Sequence, residues 1–212
     1  AMTVLPGIDR TTTMTNVPEQ IGNYRLRRQL GAGGMGCVYE AEELESGQRV
    51  ALKVILPDLG TSQEAMDRFR QEGQLASGIS HPNCVFVLEA DQQGDYPYIA
   101  MELVKGTDLD EHVRENGPLD ILDALRKTID LIEGLEEAHR LGVIHRDVKP
   151  SNCFLTEDGR VKIGDFGLSR TLAEDVQLTM TGSFIGTPLY ASPEQIRGEE
   201  LDDRTDVYSV AS

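Results

Sequence analysis

The sequence predicts an α+β fold in two lobes, a small antiparallel β lobe with one helix followed by a larger, mainly helical lobe. Three observations predict it. Up to about Pro97 the chain is a succession of short alternating apolar runs separated by glycine and polar turns, the pattern of hairpins. One helical pattern interrupts them, with Met66, Phe69, Leu75 and Ile79 sharing an apolar stripe. After Asp120 the period lengthens to that of a helix and holds over Ile121, Leu122, Leu125, Ile129, Ile132, Leu135 and Leu141. The expected divisions are a flexible leader over 1–20, the small lobe over 21–102 and the first part of the large lobe over 103–212.

Each element has a local reason. The leader is rich in Thr and lacks a hydrophobic signal core. The runs Tyr24 to Leu30 and Val38 to Ala41 alternate on either side of Gly31-Ala32-Gly33-Gly34-Met35-Gly36, which reads as a hairpin loop whose glycines let the backbone cover phosphates closely. A dinucleotide-binding turn would have to open a helix. The next residues, Cys37-Val38-Tyr39-Glu40-Ala41, are rich in β-formers and lead to a turn at Ser46-Gly47, so that reading fails on context. The strand Arg49 to Ile55 carries Lys53 in an otherwise apolar run, and a buried ammonium needs anionic partners. The helix after it carries Glu72. Tyr98 to Val104 is an apolar strand running into a hinge, and Pro118 and Asp120 open the long helix, whose stripe is expected to be core.

Composition excludes several functions. The chain has 212 residues, 39% of them hydrophobic, enough for a two-lobed core. Its net charge is −16, from 20 Lys and Arg against 36 Asp and Glu, with no long basic run, so nucleic acid is not the expected main partner; the acidity is expected to serve solubility, with attraction of basic substrates as the alternative. No apolar stretch reaches the length of a membrane span. Cys37, Cys84 and Cys153 are odd in number and lack metal-ligand spacing, which fits a reduced, cytoplasmic compartment. They read as small buried fillers, with Cys37 and Cys153 as the alternatives for an oxidation-sensitive position.

The chemistry is concentrated in His145-Arg146-Asp147-Val148-Lys149-Pro150-Ser151-Asn152, followed after one predicted hairpin by Asp165-Phe166-Gly167. A base, a phosphate-reaching cation and two hard oxygen ligands in one short stretch suit phosphoryl transfer. Together with the glycine loop and Lys53, this ordered set resembles the catalytic and metal-binding loops of the Hanks-type (eukaryotic-like) bacterial Ser/Thr protein kinases. The resemblance implies a protein-kinase-like two-lobed fold and an enzyme that moves the γ-phosphoryl of MgATP to Ser and Thr hydroxyls of proteins, in signal transduction. A nucleotide-binding scaffold without activity, or an inactive fragment, is the alternative.

By that resemblance Asp147 orients the acceptor hydroxyl, Lys149 neutralises the moving phosphoryl group, and Lys53 is held between ATP phosphates and Glu72. Asn152 and Asp165 ligate Mg²⁺, with Mn²⁺ as the other candidate. Gly31, Ala32, Gly33, Gly34, Met35 and Gly36 cover the phosphates, Val38, Ala51 and Phe154 also bind the nucleotide, and Met101, Glu102 and Val104 lie at the adenine. Met101 is the gatekeeper there, and the backbones of Glu102 and Val104 bond the adenine edge. Asp108 either reaches the ribose or caps the following helix. Thr187, in Gly186-Thr187-Pro188, bridges Asp147 and Lys149.

The same resemblance implies regulation and exposes departures. Arg146, just before Asp147, pairs with a phosphate on the activation segment, Asp165 to Glu194. That segment contains Thr171, Thr179, Thr181, Ser183 and Thr187, and Leu178-Thr179-Met180-Thr181-Gly182 resembles an autophosphorylation pair, so Thr179 and Thr181 are the regulatory candidates. Ser192-Pro193-Glu194 stands in place of the usual Ala-Pro-Glu. Ala76 occupies the place of a larger apolar residue in a stack with Val87, His145 and Phe166. Gly73 and Gly78 each weaken their helix by up to about 1 kcal/mol relative to Ala, so it is expected to swing Glu72 in and out. Thr205 to Val210 resembles the start of the large lobe's central helix, in which Asp206 supports the catalytic loop and which Ser212 is expected to cut short. Protein substrates and a kinase dimer for trans-autophosphorylation are the expected partners. The domain is expected in the cytoplasm, its parent anchored to a membrane through a later segment.

Overall fold

In the computed structural model, which describes residues 17–33, 36–55, 63–166 and 188–212, the alternating runs pair into a six-stranded antiparallel sheet among the described residues. Its strands are β1 (Gln20–Ile21), β2 (Tyr24–Gly33), β3 (Gly36–Glu43), β4 (Arg49–Ile55), β5 (Val87–Gln93) and β6 (Tyr96–Glu102). Their order across the sheet is β1-β2-β3-β4-β6-β5. Successive side chains point to opposite faces, so β4 divides its residues between two apolar clusters. Val50, Leu52 and Val54 join Tyr39, Ala41, Tyr98 and Ala100 on one face. Ala51 and Ile55 join Ile99, Met101 and Phe69 on the other. Lys53 falls on the second face by the same alternation, and that aims its ammonium toward the cleft.

Helix α1 (Gln63–Ala76) packs on β5 and β6. From Met66 onward its buried residues are Phe69, Gly73 and Ala76, three and four apart, so they share a face. This corrects the expected stripe: Leu75 is 55% exposed, and Ile79, though buried, lies beyond the helix end. The reason is close approach. A Cβ on Gly73 would lie 2.6 Å from Ala90 Cβ and 2.7 Å from Ile99 Cδ1, so the helix backbone rests against the sheet where only glycine fits.

The large lobe begins with β7 (Gly106–Asp108), α2 (Leu109–Asn116) and α3 (Ile121–Arg140), then β8 (Cys153–Thr156) and β9 (Val161–Ile163), and continues with α4 (Pro193–Arg197) and α5 (Arg204–Ala211). As the sequence predicts, Asp120 caps α3, accepting from Leu122 N and Asp123 N. The buried face of α3 is Lys127, Leu131, Gly134, Leu135 and Ala138. Lys127 is buried with its ammonium satisfied, 2.7 Å from Asp123 and 3.3 Å from the Gly159 carbonyl.

The expected core stripe of α3 is overturned. Leu135 is buried, but Ile121, Leu122, Leu125, Ile129 and Ile132 are all more than half exposed, and Leu141 is exposed too. Helical geometry places these residues on a different side of α3 from Leu131 and Ala138, which pack toward β9, and among the described residues nothing covers them.

The lobes join through backbone. Val85 N donates to Ile163 O and Ile163 N to Asn83 O, both at 2.8 Å, and the Asn83 amide donates to Val161 O at 2.9 Å. The lead-in to β5 is thus stitched to β9, and one apolar cluster runs from Phe69 and Ile99 above to Leu131 and Ile163 below. No helix among the described residues is long and apolar enough to cross a membrane.

Candidate active site

The loop between α3 and β8 is braced from beneath. Asp206, at the start of α5 and fully buried, accepts from His145 N at 2.8 Å and Arg146 N at 2.7 Å, with His139 Nε2 2.7 Å away. Burial alone would raise its pKa. The His139 hydrogen bond, the nearby His145 ring and the two backbone donors outweigh burial and hold the carboxyl below its ordinary value. The brace has a backbone consequence, because Arg146 adopts φ 67°, in the left-handed region that side chains disfavour. Such a conformation costs on the order of 1–3 kcal/mol and persists only where the surroundings enforce it. Asp206 supplies that enforcement at Arg146 N, and the Gln195 amide supplies it at Arg146 O, at 2.7 Å.

On this platform the predicted residues converge. Lys149 Nζ lies 2.8 Å from Asp147 Oδ2, and the Asn152 amide nitrogen donates to Asp147 O at 2.7 Å and Oδ2 at 3.1 Å. With its nitrogen engaged on Asp147, the Asn152 side chain has its amide oxygen as its remaining polar atom, of the hard kind that a divalent cation takes. The hairpin β8–β9 returns the chain so that Gly164 N donates to Asn152 O at 3.0 Å, placing Asp165 next to Asn152. Asp165 is the other non-glycine residue with positive φ among the described residues, at 63°. Phe166 is buried and meets the His145 ring at a tilt of 56° with centroids 4.9 Å apart, and Ala76 and Val87 lie buried in the cluster that holds Phe166.

Lys53 Nζ pairs with Asp165 Oδ1 at 3.0 Å. Burial would raise the Asp165 pKa, but the Lys53 charge and hydrogen bond, with His145 and Lys149 behind them, carry it below the ordinary carboxylate value. The expected partner of Lys53, Glu72, is engaged elsewhere in this arrangement. Glu72 Oε1 instead lies 3.4 Å from Arg146 NH1. The ammonium meets the carboxylate on the facing loop, and the Arg146 guanidinium meets the carboxylate of α1. Arg146 Nε is buried without a hydrogen-bond partner among the described residues.

The protein kinase domain family matches residues 24–212, nearly the whole described chain. The chain belongs to that family. It is 39% identical over 201 residues to the serine/threonine-protein kinase PknB of Mycobacterium leprae, covering 93% of this chain and 32% of that protein. It is 36% identical over 189 residues to the serine/threonine-protein kinase PrkC of Bacillus subtilis, covering 89% of this chain and 29% of that protein. The chain thus spans about a third or less of these curated relatives. Among solved structures it is similar to the Mycobacterium tuberculosis PknI kinase domain, with TM-score 0.75 and 30% identity, covering 91% of this chain and 72% of that one. The Hanks-type kinase resemblance and the two-lobed fold are therefore correct.

In this kinase domain the glycine-rich segment is the β2–β3 hairpin, with Gly33 opposite Gly36. Gly36 has φ 149°, and a Cβ there would collide with the Val54 carbonyl, so glycine is required. Gly31 and Ala32 lie on β2, opposite Val38 and Cys37. Gly34 and Met35 lie outside the described residues, as do Thr171, Thr179, Thr181, Ser183 and Thr187. Ala51 and Met101 are buried in one apolar cluster, with Val38, Val104 and Phe154 packed against it. Asp108 takes the capping role, accepting from Glu111 N at 2.8 Å. Cys153 is a filler: it is buried, donates to Lys149 O at 3.2 Å, and burial pushes its thiol up to about 12. A groove of about 810 Å³ lies away from these residues, between α3 and α5, lined by Ile132, His139, Val207 and Val210 among others.

Three positioning groups escaped the sequence reading. Ser192, in the departure from Ala-Pro-Glu, is buried and caps α4 in a capping box with Gln195, and that same Gln195 reaches Arg146 O. The spacing Ser-x-x-Gln carries this signal locally. His139 against Asp206, and Lys162 against Glu102 at 2.7 Å, join residues 67 and 60 positions apart and leave no local mark.

Proposed function

We propose that this kinase domain is catalytically competent and transfers the γ-phosphoryl group of ATP to Ser and Thr hydroxyls of proteins, in the cytoplasm. The observation that carries the reading is the convergence of Lys149 and Asn152 on Asp147, each within 3.1 Å of its carboxylate, beside the Lys53–Asp165 pair. Each carboxylate with a chemical role stands against a cation that a phosphate can attract in its place. Asp147, about one-third exposed, orients the acceptor hydroxyl and receives its proton as the new bond forms. Lys149, two residues on, follows the charge on the group in transit, which spreads over its outer oxygens. Lys53 holds the phosphates from the small-lobe side.

A divalent ion, as the family uses in general, fits the donor set. Asn152 and Asp165 offer hard oxygens, and Asp165 is held ionised by Lys53. Mg²⁺ is the ion inferred, since it binds through few protein oxygens plus phosphates, and it supplies charge neutralisation on the phosphates. Met101, the hinge backbones of Glu102 and Val104, Val38, Ala51 and Phe154 receive the adenine. The Glu72–Arg146 contact supports a regulated enzyme, in which a phosphate on Thr179 or Thr181 draws Arg146 away and lets α1 deliver Glu72 to Lys53. Thr187 is assigned to the bridge between Asp147 and Lys149, and a second copy of the chain to autophosphorylation in trans.

Peptide mass spectrometry after incubation with MgATP tests this. Phosphate on Thr179 or Thr181 in the wild type, and none in Asp147→Asn, is the expected result. No phosphate on the chain or on a general protein substrate, with nucleotide binding intact, would leave a scaffold and overturn the enzyme.

A further inference from the structure

The side chain of Glu102 has no part in an adenine contact made by backbone, yet it is well engaged. Glu102 N donates to Phe86 O at 2.8 Å, and the carboxylate accepts from Phe86 N at 3.3 Å and from Lys162 Nζ at 2.7 Å. Lys162 lies on β9, opposite Phe154 on β8, and its ammonium also reaches the Cys84 carbonyl at 3.4 Å. One carboxylate therefore ties the end of β6, the lead-in to β5 and the large-lobe strand that runs three residues later into Asp165. The pair is partly buried, with side chains 35% and 17% exposed, on the outer wall of the hinge beside Leu103, Val104 and Thr156.

We propose that Glu102 and Lys162 are positioning residues that form a strap across the back of the hinge and govern how fast nucleotide leaves. The inference rests on the nucleotide-binding reading above. A nucleotide held at the hinge and reaching Asp165 spans the two ends of this strap. Letting it go requires the lobes to part, and parting them separates the hinge carboxylate from the β9 ammonium. A charge-assisted hydrogen bond of this length resists that separation more than a neutral one does.

The test is stopped-flow dissociation of a fluorescent N-methylanthraniloyl ADP, with Mg²⁺, from the full 212-residue chain, with thermal midpoints measured alongside. Glu102→Gln and Lys162→Met are each expected to speed release by about three- to tenfold, in the lower part of the coupling found between contacting partners. The double variant should be no faster than the faster single, because both remove one interaction, and the exchange Glu102→Lys with Lys162→Glu should restore slow release. Unchanged release in the singles overturns the strap, as does a double variant equal to the product of the singles. A lowered midpoint with unaltered release assigns the pair to stability alone and likewise overturns it. If the wild type fails to bind the probe, the nucleotide reading itself falls, and the strap with it.

Discussion

Replacing Asp206 by Ala tests the claim that one buried carboxylate holds the catalytic loop in its strained form. The side chain is fully buried and accepts from two backbone N–H groups and His139, all at 2.7–2.8 Å. Hydrogen bonds to a charged acceptor contribute about 1.5–3 kcal/mol each, and a buried donor left without a partner costs roughly 1–3 kcal/mol. A simple sum overstates the loss, because freeing Arg146 from φ 67° recovers part of the on-the-order-of 1–3 kcal/mol held in that conformation. The balance is about 3–5 kcal/mol, in the range found when a buried charge network loses one member. Urea unfolding followed by circular dichroism should show the midpoint lowered by about 2 M, for a slope of roughly 2 kcal/mol/M. Acidity gives the sign of a second readout. The Asp206 pKa is depressed in the folded state, so its contribution is full above the ordinary carboxylate value of about 4 and is lost as the pH falls through the depressed one. The gap between wild type and variant should therefore close in acid. A loss below about 1 kcal/mol at neutral pH would refute the reasoning, since it falls short of even one such hydrogen bond.

Other consequences are as direct. Gly73→Ala gains up to about 1 kcal/mol of helix propensity but forces a Cβ to within 2.6 Å of Ala90, an overpacking worth roughly 1–3 kcal/mol, so a melt should show net destabilisation; stabilisation would mean that α1 does not rest on the sheet. Ser192→Ala removes the α4 cap and should cost about 1 kcal/mol in denaturant unfolding, with slower phosphoryl transfer because Gln195 loses its hold on Arg146 O. Asp165→Asn should abolish the Mg²⁺ dependence of nucleotide affinity in calorimetry, and an unaltered dependence would remove Asp165 from the metal site. Arg146→Ala should speed hydrogen exchange in α1 of the unphosphorylated protein, whereas unchanged protection would show the contact with Glu72 to be idle.

The features legible before folding are those set by neighbours along the chain. Glycine conformations and period-2 alternation placed the β2–β3 hairpin and β4, and the side-chain oxygen of Asp120 placed the start of α3. The short span from His145 to Asn152 brings Asp147, Lys149 and Asn152 within reach of one another almost whatever the rest of the fold does. Tertiary structure decided the remainder, because the choices there are between partners distant in sequence. Lys53 had two carboxylates to meet, and in the packed lobes it meets Asp165 while Glu72 reaches Arg146. Periodicity marked Leu75 and Ile121 as apolar, but a repeat of 3.6 residues says which side chains share a face and not what that face will meet. The bonds of His139 to Asp206 and Lys162 to Glu102 close loops of more than fifty residues, and only the packed lobes bring those charges together.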